Sequence, residues 1–386
     1  MNALRTNGCS KRFALVAAVL LLLAPLIADR AASASSSTRE YLPYLVTRAG
    51  TSDVIYTLWQ REGCVTRSCL RLERSDNGGR TFTDVTPPPA APIKVGMEGE
   101  TPLIDEMTFV NASIGYAVEA PNNGRNWQSS HYFLTTNGAH SWRRVTISPR
   151  VYNFGVVVTN RYVYALTAEC ATKGPPCDHF ALHRAPVGSG AWTRLTIPPT
   201  LLEPPFANLA LAGYGLSVWL TAEDKSSPYP GVLATSRDEG RTFTVLLQQN
   251  LQSPGNCGLL PMSNSVIWAN CWQGMGDDSV VYSHDGGENW QAQSTGPLVV
   301  GSVDAFDPIT AQTAYFVNGS HPNVIDKIAD EASRPTVVCS LPKDHYWSTL
   351  VFTNARDGVA LTLNDGPNLQ LWGTDNAGKQ WRRIHV

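Results

Sequence analysis

The residues of this 386-residue sequence that could do chemistry are carboxylates and aromatic side chains in glycine- and proline-rich segments. The carboxylates are Glu98, Glu100, Asp277 and Asp278, and the aromatic residues are Trp127, Tyr229, Tyr346 and Trp347. Exposed rings beside carboxylates suit the binding of a carbohydrate or a peptide. Two facing carboxylates, such as Glu100 and Asp277, could instead carry out glycoside hydrolysis, with Tyr346 as a candidate nucleophile. A third interpretation is that all of them are solvated loop residues.

The first 34 residues have the pattern of a secretory signal peptide. Arg5, Lys11 and Arg12 precede the apolar run 13–28, and Ala32, Ser33 and Ala34 follow it. A retained membrane anchor is the alternative, but this run is shorter than the roughly 20 residues of a spanning helix. We therefore expect cleavage, export and a mature chain, residues 35–386, without a membrane span.

Composition and charge exclude several classes of protein. With 16% charged and 9% aromatic residues, the chain is neither disordered nor a coiled coil. Without residues 1–34 it carries 26 basic and 31 acidic residues, so we expect no nucleic-acid partner. The sequence also lacks a phosphate-binding loop and a Gly-x-Ser-x-Gly motif. We expect no cofactor, no metal and a monomer.

Export makes disulfide bonds the expected state of six cysteines. They form three close pairs, which are Cys64/Cys69, Cys170/Cys177 and Cys257/Cys271. Cys170 and Cys177 also precede His179 and His183 in a zinc-like string. If 179–183 is a strand, the two histidines lie about 13 Å apart and cannot share an ion. Cys339 has no near partner and is either buried and inert or reactive.

An octapeptide of the form Ser/Thr-x-Asp/Asn-x-Gly-x-x-Trp/Phe recurs along the chain. Three copies are close to this consensus (75–82, 236–243 and 283–290), and two are looser (135–142 and 374–381). Glycine adopts a positive φ without steric cost, and Asp or Asn accepts hydrogen bonds from turn amides. The third-position residues, Asn77, Asn137, Asp238, Asp285 and Asn376, are therefore predicted to be structural. Each copy is a predicted hairpin turn between two apolar strands.

The spacing of these octapeptides predicts the architecture. Their closing aromatic residues, together with Trp192 of an eroded copy, recur at intervals of roughly 50 residues, the length of a four-stranded propeller blade. The last interval is twice as long, so one copy is lost near residue 337. The second unit has predicted strands at 106–110, 115–118, 131–135 and 142–147, and the fourth at 216–220, 231–235 and 243–246. The fold prediction is an all-β, seven-bladed propeller of four-stranded antiparallel blades, with residues 35–47 as a candidate sealing strand.

The octapeptides resemble Asp boxes, or BNR repeats, of the sialidase-like superfamily of β-propellers. The resemblance covers residues 40–386 and is closest in style to photosystem II assembly factor-like and sortilin-type propellers, through the phrase 109–118 before one box. It implies that every box is the hairpin between the third and fourth strands of a blade, on one face of the disc. Ligand sites of such propellers usually lie at the opposite mouth.

Two functions remain open under this resemblance. Sialidases of this fold need an arginine in an Arg-Ile-Pro-like motif before the first box, and no arginine before Ser75 is followed by an apolar residue and proline. Arg184-Ala-Pro186 resembles the motif but lies in a predicted third strand. The first hypothesis is a secreted, non-catalytic propeller that binds or scaffolds a protein or glycan partner. The second is an exo-acting glycoside hydrolase with carboxylates at the mouth.

Overall fold

Short apolar runs bounded by turn residues fold into strands along the described chain. The computed structural model describes residues 41–61, 69–90, 104–119, 130–147, 151–170, 177–202, 206–224, 232–246, 257–272, 278–292, 303–318, 321–329, 335–341, 345–364 and 369–384. The predicted signal peptide, residues 1–34, lies outside these ranges. Within them the only helical element is a 3-10 turn at Pro199–Leu201.

The strands group by fours into blades, which we number in chain order. Blade 1 contains β1 (Tyr41–Arg48), β2 (Ile55–Arg61), β3 (Leu70–Ser75) and β4 (Thr83–Val85). Blade 2 contains β5 (Ile104–Phe109), β6 (Gly115–Glu119), β7 (Tyr132–Thr135) and β8 (Arg143–Val145). Blade 3 contains β9 (Tyr152–Val158), β10 (Tyr162–Cys170), β11 (Cys177–Pro186) and β12 (Thr193–Leu195). Blade 4 contains β13 (Phe206–Tyr214), β14 (Ser217–Asp224), β15 (Val232–Ser236) and β16 (Thr244–Leu246).

The remaining three blades repeat the pattern. Blade 5 contains β17 (Cys257–Pro261), β18 (Ile267–Trp272), β19 (Asp278–Ser283) and β20 (Gln291–Ala292). Blade 6 contains β21 (Val303–Pro308), β22 (Ala314–Asn318), β23 (Val324–Ile328) and β24 (Thr336–Ser340). Blade 7 contains β25 (His345–Phe352), β26 (Gly358–Asn364), β27 (Gln370–Thr374) and β28 (Arg382–Arg383).

Each blade is a four-stranded antiparallel sheet in which strands pair in sequence order. This confirms the predicted seven-bladed propeller and the predicted strands of the second and fourth units. Blade 6 joins β23 to β24 without an octapeptide, as the doubled interval indicated. Because strands alternate in direction, turns 1–2 and 3–4 of every blade lie on one face, which we call the turn face. Loops 2–3 and the links between blades lie on the opposite face.

The first strand of each blade lies nearest the axis of the ring. First strands of adjoining blades contact one another from β1 to β17 and from β21 through β25 back to β1, and β21 contacts β18 of blade 5. The fourth strands, of two to five residues, form the outer rim. The first strands therefore surround a central channel.

Seven apolar clusters hold the ring together, and each spans two neighbouring blades. Tyr56 and Leu58 of blade 1, for example, pack with Phe109 of blade 2, and the rings of Tyr56 and Phe109 stack at 3.7 Å. Each fully buried aromatic ring contributes about 1.5–3 kcal/mol by leaving water. The core of the protein therefore lies between blades, because a single sheet cannot cover its own two faces.

Aromatic residues of the second strands also form polar contacts between blades. The hydroxyl of Tyr56 donates to the carbonyl of Ala112 at 2.9 Å, and the amide of Gly188 donates to the hydroxyl of Tyr116 at 2.9 Å. Trp219, Trp268 and Tyr315 make equivalent bonds to the turns of blades 5, 6 and 7. Each of these bonds anchors the turn-face hairpins of the next blade.

The candidate sealing strand, residues 35–47, is described from residue 41 onward. Residues 41–48 pair with β2 as the first strand of blade 1, and blade 7 is complete without them. Blade 7 instead meets blade 1 through an apolar cluster and through side chains. Arg80 pairs with Asp357 at 2.8 Å, and Asn354 donates to Asp53 at 3.0 Å. The ring is closed by packing, because blade 1 already uses all four of its strands.

One of the three predicted disulfide bonds is confirmed. A disulfide joins Cys257 to Cys271 across β17 and β18, as predicted. Cys170 and Cys177 are direct cross-strand partners, and Cys64 lies outside the described residues. Cys69 and Cys339 both take part in disulfide bonds. The expectation that Cys339 is unpaired is therefore wrong for this structure.

Candidate functional site

The octapeptide turns use their polar side chains within the turn. In all five copies the first-position hydroxyl accepts the amide of the fifth residue at 2.8 to 3.1 Å. That hydroxyl donates to the third-position oxygen, which also accepts the amide of the seventh residue at 2.8 to 3.0 Å. The hydrogen-bonding capacity of Asp238 and Asp285 is thus directed at their own backbone.

Each octapeptide turn is also tied to the first turn of its own blade. The fourth-position amide donates to a carbonyl of turn 1–2 at 2.8 to 2.9 Å, as Gly78 does to Asp53 and Glu239 does to Leu216. The fourth and fifth residues have φ between 62° and 97° in every copy, which explains the preference for glycine there. Backbone bonds lower the pKa of Asp238 to about 2. These carboxylates therefore lie on the turn face, away from the opposite mouth.

Most residues singled out by sequence reasoning as ligand-binding candidates fall outside the described chain. These are Glu98, Glu100, Trp127, Tyr229 and Asp277. Asp278 is the first residue of β19, and only its backbone is described. The positions of the predicted mouth carboxylates therefore stay predictions.

Tyr346 and Trp347 lie in β25 and not in a link between blades. Tyr346 is half-buried at the amino end of this strand. Trp347, expected as an exposed ring, is buried at 1% exposure against Trp381 at 5.0 Å, and its indole donates to the carbonyl of Asn323. The first strand of blade 7 begins earlier than the sequence suggested. Because side chains alternate between the two faces of a strand, Trp347 lies in the core between blades 6 and 7.

A polar cluster that sequence reasoning missed lies where the first strands of blades 2 and 3 meet. The carboxylate of Glu106 accepts the backbone amide of Val156 at 3.0 and 3.1 Å and the side-chain amide of Asn153 at 2.9 Å. The hydroxyl of Tyr132 donates to Asn153 at 3.0 Å, and Ser130 accepts the amide of Asn153. One carboxyl group therefore connects two blades through three hydrogen bonds.

Burial controls the electrostatics of this cluster. It raises the pKa of Glu106 to about 7, although the bonds from Asn153 and Val156 act in the opposite direction. Burial and the nearby Glu106 also raise the pKa of Tyr132. A carboxyl that titrates near neutrality is typical of acid–base chemistry. Here, however, its oxygens are directed at the backbone and amide of the next blade, which is a structural use.

Two further acidic groups lie nearby in the sequence and the fold. A register shift between Ile104 and Glu106 places Asp105 in a bulge, where its side chain is exposed. Partial desolvation by neighbouring residues raises the pKa of Asp105. Glu119, at the end of β6, forms a close contact with His131. Two adjacent acidic residues, Asp105 and Glu106, at the start of a predicted strand are the sequence signal that could have revealed the cluster.

The first strands also carry partly exposed apolar side chains. They belong to the first strands of six blades, and they are Leu42, Phe154, Leu211, Leu259, Phe306 and Tyr346. Large apolar and aromatic residues of this kind are enriched in the centres of protein interfaces. Four of the six, Phe154, Leu211, Leu259 and Phe306, also pack against the clusters between blades.

Among the described residues there is no cluster of three or more histidine, cysteine or acidic side chains that could hold a metal ion. No helix in the described part of the chain is long and apolar enough to cross a bilayer.

Comparisons with known proteins support the fold only. No protein-family profile and no curated protein matches the sequence. Among solved structures, the chain resembles YCF48 bound to D1 peptide, with 13% identity and a TM-score of 0.50, over 73% of this chain and 80% of that one. It also resembles puromycin hydrolase, with 15% identity and a TM-score of 0.57, over 90% of this chain and 54% of that one. The acylaminoacyl peptidase of Pyrococcus horikoshii gives 7% identity and a TM-score of 0.56, over 90% and 52%.

The chain therefore spans about half the length of the two peptidases it resembles. Identities this low establish a shared propeller architecture and leave activity and partners to be argued from the site.

Proposed function

We propose that this chain is an exported, non-catalytic β-propeller that binds a protein or peptide partner at the channel mouth opposite the turn face. The observation that carries the proposal is the set of partly exposed apolar side chains on the first strands. Two further observations support the proposal. The carboxylate of Glu106 is used in hydrogen bonds to the next blade, and the fold is similar to that of YCF48, whose structure contains a bound D1 peptide. We further propose that the octapeptide turns are Asp boxes, as their sequence pattern suggests.

Selection of peptide ligands tests this proposal. A phage-displayed library of random peptides is panned against the full chain, and the dissociation constants of the selected peptides are measured. Tyr346→Ala and Leu42→Glu, both on first strands, are expected to weaken binding at least ten-fold, which is about 1.4 kcal/mol. Lys379→Ala, in the octapeptide turn of blade 7, is the control and is expected to bind normally. A library that yields no ligand, or equal losses in all three variants, contradicts the proposal.

The alternative of a glycoside hydrolase rests on the predicted mouth carboxylates Glu100 and Asp277. A panel of fluorogenic glycosides, including sialosides, tests it. Our proposal predicts no turnover above the uncatalysed rate. Turnover that disappears in Glu100→Gln or Asp277→Asn, while folding is retained, would establish the hydrolase instead.

A further inference from the structure

The outer part of the interface between blades 2 and 3, which we call the groove, carries several hydrogen-bond donors. Its blade 2 wall is formed by β7 and β8, and its blade 3 wall by β11 and β12. Residues 131–147 contain no acidic residue, and residues 177–195 contain one, Asp178 at the start of β11. The same segments contain four arginines and four histidines. The charge of this groove is therefore positive.

Strand alternation fixes which side chains face the groove from blade 3. Ala185 belongs to the apolar cluster shared with blade 2, whereas Leu182 belongs to the cluster shared with blade 4. His183 is on the same side of β11 as Ala185 and therefore faces blade 2. Arg194 is the direct cross-strand partner of His183, so its side chain extends from the same face.

Arg143 extends into the groove from blade 2. Val145, two residues along β8, packs in the cluster shared with blade 3, so Arg143 is on the same side. Its guanidinium reaches the carbonyl of Gly188 at 3.4 Å. A Cβ at Gly190 would lie 2.6 Å from Cγ1 of Val145 and 3.1 Å from the guanidinium, so Arg143 and Val145 both lie close against this glycine.

Two buried side-chain nitrogen atoms in the groove have no hydrogen-bond partner. They are Nε2 of His183, a residue with 8% exposure, and Nε1 of Trp192. Trp192 lies between the rings of Tyr116 and Tyr132, at 6.5 and 6.3 Å. Buried polar groups without partners are rare in folded proteins and call for an acceptor. Arg143 and Arg194 take part in no ion pair in the described part of the chain.

From these donors we infer that the groove between blades 2 and 3 is a binding site for a tetrahedral oxyanion, the group common to sulfate and phosphate. Arg143 and Arg194 supply charge from the two walls, and His183 and Trp192 supply N–H donors from the floor. Guanidinium groups match the oxygens of such anions with two parallel bonds. The site lies on the outer rim, apart from the channel mouth proposed to bind a partner.

Protonation of His183 provides an internal check on the site. Burial and the charge of Arg194 lower the pKa of His183 to about 4, so the imidazole is neutral in the empty site. Arg194 on β12 is the charged group that acts on His183, Arg143 extends from β8 on the opposite wall toward Gly188, and β10 presents Ala165. A bound anion offsets the arginine charge and accepts a hydrogen bond from the ring. Binding should therefore raise the pKa of His183 and take up protons at mildly acidic pH.

Calorimetric titration of sodium sulfate into the full chain, at constant ionic strength, tests the inference. We expect Arg143→Gln and Arg194→Gln each to weaken sulfate binding about ten-fold. Arg382→Gln and Arg383→Gln, which alter exposed arginines on the fourth strand of blade 7, are matched controls and should bind as the unaltered chain does. In buffers of different ionisation enthalpy, proton uptake should increase between about pH 7 and about pH 5.

Two further titrations identify the source and the shape of the anion. Inorganic sulfate and glucose 6-sulfate distinguish a free ion from an ester on a larger partner, and binding of either supports the site. Acetate, a planar carboxylate, is titrated in the same way. Acetate binding as tight as that of sulfate would overturn the assignment to a tetrahedral oxyanion. The inference also fails if no sulfate binds at millimolar concentration, or if all four variants lose affinity equally.

Discussion

At the scale of single residues, Asp and Asn are interchangeable acceptors in the octapeptide turns. Asn77 accepts the same backbone amides as Asp238, and its Nδ2 donates to Thr81 where Asp238 accepts from Thr242. The recurring pattern could be recognised from the sequence because all of these bonds are local. The charge of Asp238 is therefore not required for the geometry of the turn.

Replacing this charge should change the acid stability of the protein. The lowered pKa of Asp238, about 2, adds stability that is present above the unfolded value of 3.8 and is lost as pH falls through about 2. We expect Asp238→Asn to match the unaltered chain near neutral pH and to lose less stability between about pH 4 and about pH 2. Urea unfolding at a series of pH values measures this. Equal acid sensitivity in both proteins would show that Asp238 is not held in its charged form.

Ala377 occupies a position in an octapeptide turn where glycine is preferred. Its φ of 62° is left-handed, which costs a residue with a Cβ about 1–2 kcal/mol. After the entropy of an added glycine is counted, we expect Ala377→Gly to raise the free energy of unfolding by about 0.5 kcal/mol. Ala355→Gly, at an exposed position of the same blade without a positive φ, is the control and should be neutral or destabilising. Thermal unfolding of the two variants distinguishes these results.

At the scale of elements, Glu106 shows why the polar cluster between blades was not predicted. Its partners, Asn153 and Val156, belong to the next blade, and their approach depends on how two first strands pack. Strand positions follow from apolar runs and turn signatures, whereas contacts between blades depend on three-dimensional register. For the same reason, the groove with Arg143 and Arg194 could not be predicted from the sequence.

The raised pKa of Glu106, about 7, makes a testable contribution to stability. Its stabilising effect is complete below the unfolded value of 4.5 and is lost as pH rises through about 7. We expect Glu106→Gln to flatten the decrease in stability between about pH 5 and about pH 8, because glutamine does not titrate. Asp105→Asn, at the neighbouring exposed bulge, is the matched control and should leave most of the slope. Parallel profiles for Glu106→Gln and the unaltered chain would contradict this assignment.

At the scale of the whole molecule, the carboxyls with shifted pKa values divide into two groups. Burial raises the pKa of Glu73, Glu106 and Asp307 to about 7, about 7 and about 6. Hydrogen bonds within turns lower those of Asp238 and Asp285. The first group stabilises the ring at low pH and the second group above the unfolded value of 3.8.

These opposing contributions predict the pH of maximum stability. We expect the melting temperature to be highest between about pH 4 and about pH 5, where the first group is still protonated and the second is ionised. Scanning calorimetry across the pH range measures it. A maximum above about pH 7 would mean that the buried carboxyls of the ring are ionised in the folded protein.

The number of blades was predictable, but the closure of the ring was not. Each octapeptide marks one blade locally, and the doubled interval identified blade 6. Closure depends on contacts such as Arg80 with Asp357, which lie at opposite ends of the chain and leave no periodic signal. The mouth residues Glu98, Glu100 and Asp277 remain predictions, because they lie outside the described residues.

Hydrogen–deuterium exchange of the full chain, with and without a selected peptide, is the most direct test of the account. It shows whether the peptide binds at the channel mouth or at the octapeptide turns. Our account predicts that bound peptide slows exchange at the amino ends of the first strands, in Tyr41–Arg48 and His345–Phe352. It predicts unchanged exchange in the turns at 75–82 and 236–243. Protection concentrated in those turns, with none in the first strands, would contradict the account.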